Sequence, residues 1–499
     1  MSQVSILRLD AATLDACAKL VPTPAYDRSR LNVGIVHFGV GGFHRAHQAM
    51  YLDRLMNAGE ASDWAICGVG VMEADRRMQE ALAAQGYLYT LVEKHSDGVY
   101  EPRVIGSIID YLYAPDDPDA VIERLVDPAT RIVSLTVTEG GYSIDDVSGE
   151  FDPQLSDVAH DLEPAAAPRT VFGLITEALA RRRAQEMTPF TIVSCDNLQG
   201  NGRLARKAFT SFARLRDEQL GEWVERNVHF PNSMVDRITP ATTDADRREV
   251  RTRFGIEDRW PVVCEPFVQW VLEDSFSSGR PCYEHVGVQV VEDVEPYELM
   301  KLRLLNASHQ GLCYFGRLCG YEFVHEAAQD PLFRQFLRGY MDIEATPTLE
   351  PVPGVDLDDY KDSLLERFSN PEVRDTIARL CAESSDRIPK WLLPVVRIQL
   401  TRDGEIARSA AIVASWARYA EGIDEHGQPI DVVDRQRERV MALAARQGED
   451  PLAFITNREL FGDLIQHERF VAAYLSALRS LHARGARATL RSLVNELGQ

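Results

Sequence analysis

Leu31-Asn-Val-Gly-Ile-Val-His-Phe38 runs without a break into Gly39-Val-Gly-Gly-Phe-His-Arg45, and the reading of this junction decides the fold. The first stretch is an apolar run of strand length, and the glycines that follow permit a tight turn. Beyond them Phe43, Ala46, Met50, Leu52 and Met56 recur with roughly helical spacing until Gly59, a residue suited to a helix end. Strand, glycine turn and helix in that order open a dinucleotide-binding fold, where the pyrophosphate lies against the helix N-terminus. Gly39, Gly41 and Gly42 fit that use. His44 stands where the third glycine of the fingerprint belongs, so an ordinary glycine turn is the competing reading.

Working outward, Trp64-Ala-Ile-Cys-Gly-Val69 reads as a second strand, and the apolar runs 132–137, 190–194 and 261–264 alternate with long helical patterns. That alternation predicts a parallel sheet with crossover helices. The stretches 87–92 and 104–109 look like an antiparallel excursion, because the connection is short and aromatic. From about Val294 the pattern turns helical, at 298–315, 375–381, 410–419, 435–446 and 468–484, with a proline-rich exposed loop expected at 345–354. The expectation is an α/β N-terminal Rossmann-type domain with additional strands, residues 1–293 including an N-terminal arm, and a predominantly α-helical C-terminal domain, residues 294–499.

A chain of 499 residues is long for one core, since single cores stop growing near about 300 residues. No apolar run approaches bilayer length, and the N-terminus lacks a basic and apolar leader, so a cytoplasmic location is expected. The eight cysteines are dispersed, which reads as reduced thiols and not as a disulfide scaffold or a CxxC metal knuckle. With 54 basic against 76 acidic side chains the net charge is -22, a field that repels a phosphate backbone. Neither nucleic acid nor membrane is an expected partner.

The stretch richest in chemistry is Glu295-Pro-Tyr-Glu-Leu-Met-Lys-Leu-Arg-Leu-Leu-Asn-Ala-Ser-His-Gln-Gly311. At about 100° per residue Glu298, Leu302, Leu305 and His309 form one stripe, with Lys301 and Asn306 on its flanks. Oxidising a secondary alcohol with NAD needs a base for the hydroxyl proton and donors for the developing alkoxide. Lys301 suits the base, since a partly desolvated cleft beside a positive nicotinamide disfavours its ammonium form. Asn306 suits the oxyanion donor, as does Asn197, which follows the strand 190–194 at the end where open parallel sheets bind ligands. His309 suits a substrate hydroxyl and Glu298 a proton relay; a surface Glu-Lys pair and a core histidine are the plainer alternatives. Glu73 and Asp75, past the second strand, are placed to accept from an adenosine ribose, or else to cap the helix that starts near Ala74. His44 and His47 are three apart, but no neighbouring cysteine or carboxylate completes a tetrahedral zinc set, so no metal is expected.

Val228-His-Phe-Pro-Asn-Ser-Met-Val-Asp-Arg-Ile-Thr-Pro240 closely resembles the signature of the mannitol dehydrogenase family, the long-chain polyol-specific dehydrogenases. The resemblance extends to residues 39–47, Thr138-Glu-Gly-Gly-Tyr142, Ser194-Cys-Asp-Asn-Leu-Gln-Gly-Asn-Gly202 and 301–309, nearly the whole chain. It implies a Rossmann-type domain, a helical domain and a substrate cleft between them, with Lys301 as general base. It implies Asn197 and Asn306 as the oxyanion hole, His309 as the substrate-orienting group and Glu298 as the proton gate. Asp236 resembles a substrate-hydroxyl contact, against a plain pair with Arg237. Arg379 and Arg387 resemble contacts to the far end of the substrate, although relatives commonly carry lysine at the second. Gly39, Gly41, Gly42, Phe43, Arg45, Glu73 and Asp75 are the implied cofactor contacts.

The implied activity is NAD-dependent, zinc-independent interconversion of a polyol such as D-mannitol and its 2-keto sugar. Hexuronate reduction and arabinitol oxidation within the same family compete with it. A nucleotide-binding module without catalysis is the alternative from another class. A monomer is the expected state by analogy, with a homo-oligomer left open.

Overall fold

The computed structural model describes residues 6–144 and 149–495. The chain divides into two compact units, Met1–Glu295 and Pro296–Gln499.

The first unit is built on five parallel strands: β1 (Val33–Phe38), β2 (Ala65–Gly70), β5 (Ile108–Tyr113), β6 (Ile132–Leu135) and β7 (Thr191–Ser194), in the spatial order β5-β2-β1-β6-β7. Every residue of β1 is buried, as a central strand covered on both faces requires. Successive side chains point to opposite faces. Val36 and Phe38 join Phe172, Phe209 and Phe212 in one core, whereas Ile35 joins Met50, Leu52 and Leu55 of the helix Gln48–Asn57 in another. The strand order reverses between β1 and β6. Their C-terminal ends, Gly39 and Thr136, therefore flank the crevice where open α/β sheets take ligands.

Two smaller sheets carry the additional strands. β3 (Tyr89–Lys94) pairs antiparallel with β4 (Tyr100–Ile105), and β9 (Val262–Cys264) pairs parallel with β3. The run 261–264 is thus an added strand outside the main sheet, a correction to its expected place. The stretch 104–109 is likewise split: its start ends β4, its close opens β5 of the main sheet. β8 (Ser233–Asp236) and β11 (Gln289–Val291) flank β10 (Gln269–Glu273) in the third sheet.

The second unit is helical. Its central helix, Ala307–Leu318, is buried at every position but Arg317, and tight neighbours surround it. A Cβ on Gly311 would come within 3.0 Å of Ile412, and one on Gly316 within 2.8 Å of Ile377. The expected exposed loop at 345–354 is partly interior, with Thr348 and Val352 each 6% exposed. Among the described residues no helix is long and apolar enough to cross a membrane.

Candidate active site

At the crevice of the first unit Gly39 has φ +92, and a Cβ there would meet the Thr136 carbonyl oxygen at 2.1 Å, so only glycine makes this turn. Gly41, by contrast, faces open space: the nearest atom to a Cβ would be the Gly39 carbonyl oxygen at 3.8 Å. A backbone that bulk must not cover, at the start of a helix and at the strand-order reversal, fits a dinucleotide pyrophosphate. His44, in place of the third glycine, is buried and lies flat on His37 with ring centroids 3.3 Å apart. The stack does by planarity what glycine does by absence, letting helix and strand approach. Phe43 stacks on His47 at 4.8 Å, and His47 Nε2 lies 2.8 Å from the Gln269 carbonyl, so the two histidines are spent separately.

Arg45 and Asp75, two of the expected cofactor contacts, also have partners within the fold. The Arg45 side chain is fully buried, donates to the carbonyls of Gly41 and Trp260 and lies over the Tyr89 ring. It braces the turn from within. Asp75 accepts from the Val71 and Met72 amides at 3.0 and 2.9 Å and so caps the turn before its helix; Glu73, beside it, is exposed at the end of β2.

Asn197 is exposed on the loop after β7, and the loop is held by its neighbour. Asp196, 7% exposed, accepts from the Val137 and Thr138 amides at 3.2 and 2.8 Å and from the Tyr142 hydroxyl at 2.6 Å. Thr138 has φ +66 and ψ 171, a conformation costing about 1–3 kcal/mol for a residue with a side chain, and the Asp196 carboxylate holds it there. Asn201 donates to the carbonyls of Asp196 and Ser233, while Asn232 accepts from the Gly202 and Arg203 amides. This network links the loop to β8, which ends on the buried Asp236. Its neighbour Arg237 ion-pairs with Glu93 at 2.5 Å and donates to the carbonyls of Ala46 and Glu265.

In the second unit, residues 295–318 are not one regular helix. Lys301–Asn306 is a π-helical segment between the α-helices Glu295–Met300 and Ala307–Leu318, with the Ala307 amide donating to the Leu302 carbonyl five residues back. The α-helical wheel puts Lys301 and Asn306 about 140° apart, and hydrogen bonding from i to i+5 brings residues five apart toward one side. Glu298, Lys301, Asn306 and His309 are all buried. Asn306 Nδ2 and His309 Nε2 have no hydrogen-bond partner among the described residues. His309 packs on Phe368 at 4.4 Å. Burial first, then the charges of Arg379, Arg367, Arg387 and Lys301, hold its imidazole well below the usual range, so the ring is neutral. The expected cations Arg379 and Arg387 thus share the neighbourhood of His309. Arg379 is bidentate to Asp375, with Nε 2.6 Å from Oδ1. Arg387 donates to the carbonyls of Arg379 and Leu380 and stacks on Trp391.

Two family models match almost end to end: the mannitol dehydrogenase Rossmann domain over residues 33–285 and the mannitol dehydrogenase C-terminal domain over 293–482. The chain belongs to the mannitol dehydrogenase family. Among relatives in that family, the chain is 45% identical to mannitol 2-dehydrogenase of Aspergillus fumigatus, covering 98% of this chain and 99% of that one. It is 44% identical to mannitol dehydrogenase DSF1 of Saccharomyces cerevisiae, covering 98% of each. The fold superimposes on Pseudomonas fluorescens mannitol 2-dehydrogenase, solved as a ternary complex with NAD and D-mannitol, with a TM-score of 0.92, 47% identity and coverage of 98% of this chain and 100% of that one. A substrate-free D-sorbitol dehydrogenase matches with a TM-score of 0.86 and 37% identity over 97% of this chain and all of that one.

Sequence reading passed over Asp196, Asn201 and Asn232, although all three lie inside motifs it singled out. A polar residue in the register of a buried strand end was the available signal.

Proposed function

We propose that the chain oxidises D-mannitol, or a closely related polyol, at C2 to the 2-keto sugar with NAD, and catalyses the reverse reduction without a catalytic metal. The observation that carries this reading is the pair of buried, unpartnered polar atoms, Asn306 Nδ2 and His309 Nε2, on the segment that bears Lys301. A buried donor without a partner costs about 1–3 kcal/mol, a cost that a site for a polyhydroxylated ligand explains. The relatives whose names specify mannitol, and the one solved with NAD and D-mannitol, support the same substrate and cofactor.

In this scheme the Lys301 amine takes the C2 hydroxyl proton, and Glu298 passes it toward water. The amides of Asn306 and Asn197 donate to the oxygen as it becomes an alkoxide, which lowers the barrier to hydride departure. His309 and Asp236 orient neighbouring hydroxyls. The Gly39–Gly42 turn and the exposed Glu73 would hold NAD, which when bound supplies the hydride acceptor. The eight unpaired cysteines support a reducing compartment such as the cytoplasm.

Hexuronate reduction needs a cation for the substrate carboxylate. Arg379, one of the expected pair, already carries its own carboxylate partner, which favours an uncharged polyol. Initial rates with mannitol, arabinitol, fructose and fructuronate, each with NAD and NADP cofactors, test the assignment on wild type and Lys301→Ala. Wild type is expected to prefer mannitol and fructose with NAD. Lys301→Ala is expected to lose several orders of magnitude in rate while still binding NADH; near-normal turnover refutes the base.

A further inference from the structure

We propose a divalent transition-metal site on the surface of the first unit, made by Glu60, Cys282 and His285, remote in role from the dehydrogenase reaction. One ligand atom from each lies within 4.8 Å of the other two. His285 Nδ1 stands 3.0 Å from a Glu60 carboxylate oxygen. Metal arms of about 2.0–2.3 Å to nitrogen, oxygen and sulfur give tetrahedral edges of about 3.3–3.6 Å, so small side-chain adjustments convert the trio into three corners of a tetrahedron. Water completes the fourth corner, because the His285 and Glu60 side chains are 55% and 41% exposed.

The fold builds this arrangement. Cys282 precedes the 3-10 turn Tyr283–Val286, and residues three apart on such a turn eclipse, which puts the thiol and the His285 ring on one side. The turn is firm beneath them. Tyr283 is buried and packs on Trp270 at 4.8 Å, while Arg280 joins Asp274 and Glu284 at 2.8 and 2.6 Å. Glu60 arrives from the far side of the sequence, 225 residues before His285, on the loop after the helix Gln48–Asn57. Alone among the eight cysteines, Cys282 is exposed. A thiolate, an imidazole and one carboxylate select zinc or a similar borderline ion over magnesium and calcium, which require shells of oxygen ligands. Binding expels the thiol proton to solvent, so affinity rises with pH. The ion would tie two segments far apart in sequence and stiffen this face of the unit.

Calorimetric titration of the full-length protein with zinc chloride, in a buffer that does not chelate, tests the site. One equivalent per chain is expected, and Cys282→Ser or His285→Gln should weaken it by about 100-fold or more. Cobalt in place of zinc should give a thiolate charge-transfer band that is absent from Cys282→Ser. Zinc should also raise the melting temperature of wild type and leave that of Cys282→Ser unchanged, with polyol oxidation unaffected in both variants before zinc is added. Absence of binding at millimolar zinc, or zinc affinity and a cobalt spectrum in Cys282→Ser equal to those of wild type, overturns the proposal.

Discussion

Asn306 is a position in the second unit where a functional and a structural role predict different outcomes. It is 4% exposed, yet its Nδ2 donates to nothing among the described residues, so folding gains nothing from that nitrogen. In the proposed reaction, replacing Asn306 by Asp exchanges the donor to the developing oxyanion for an acceptor that repels it. The expected loss in kcat/KM is about 10²–10³-fold, the range for one oxyanion donor. The melting temperature should stay close to that of wild type. A large stability loss with modest kinetic change would mean that the amide serves the fold. Asp196 is the opposite case, since three donors converge on one carboxylate. Asp196→Asn weakens bonds to a charged acceptor, each worth about 1.5–3 kcal/mol, and should depress both stability and turnover by freeing Thr138 from its strained conformation. Equal stability of this variant, measured in urea, counts against that role.

The π-helical segment is held by groups far from it in sequence. Its Arg303 carbonyl accepts from the buried Tyr340 hydroxyl at 3.1 Å, and Arg303 Nη1 donates to the Thr348 carbonyl at 2.5 Å. Tyr340 itself opens a second π-helical segment, Tyr340–Ala345, whose Glu344 carboxylate accepts from the Arg408 and Ser409 amides. Tyr340→Phe removes one buried hydrogen bond, worth about 0.5–1.5 kcal/mol, at the element that aligns Lys301 with Asn306. We expect kcat to fall about tenfold, within that same energy range, while the dissociation constant for NADH is unchanged. A variant with wild-type kcat removes Tyr340 from the positioning of this segment. This element also marks the limit of what the sequence discloses. Lys-Leu-Arg-Leu-Leu-Asn is ordinary helix former throughout, and its periodicity correctly signals a buried helix. The Arg303 carbonyl meets a phenol 37 positions away, a contact that no local pattern encodes. The interior placement of Thr348 was hidden for the same reason, behind prolines that read as solvent.

At the scale of the whole chain, legibility tracks how local the cause is. The strand, turn and helix at 33–57 and the helical second half are written in neighbouring residues, whereas β9 left the main sheet because pairing partners are chosen over long range. Stability against pH is also a sum over the molecule. His37 in β1 is fully buried between the hydroxyls of Ser134 and Thr136, at 2.8 and 3.0 Å, and burial pushes its imidazole down to about 3. His44, stacked on it, is depressed well below its usual range by burial and then by His37. Both remain neutral in the fold while the unfolded chain takes up protons below about pH 6.5, so each removes about 1.4 kcal/mol of stability per pH unit as acid is added. Asp53 acts in the other direction. Burial raises its carboxyl to about 6 despite the Tyr26 hydroxyl and the Gly106 amide, so the fold binds a proton that the unfolded chain releases above about pH 4. Its contribution is present at low pH and is lost as pH rises through about 6. The two depressed histidines, joined toward pH 4 by the lowered carboxyls of Asp27, Glu177, Asp274 and Glu284, act against the raised carboxyls of Asp53 and Asp258, so urea unfolding of the first unit should show stability falling from pH 6.5 toward pH 4. His37→Gln should flatten that fall by about 1.4 kcal/mol per pH unit whatever it does to stability at pH 7, and Asp53→Asn should steepen it by a similar amount. Parallel curves for wild type and His37→Gln would show that His37 already carries a proton in the folded strand.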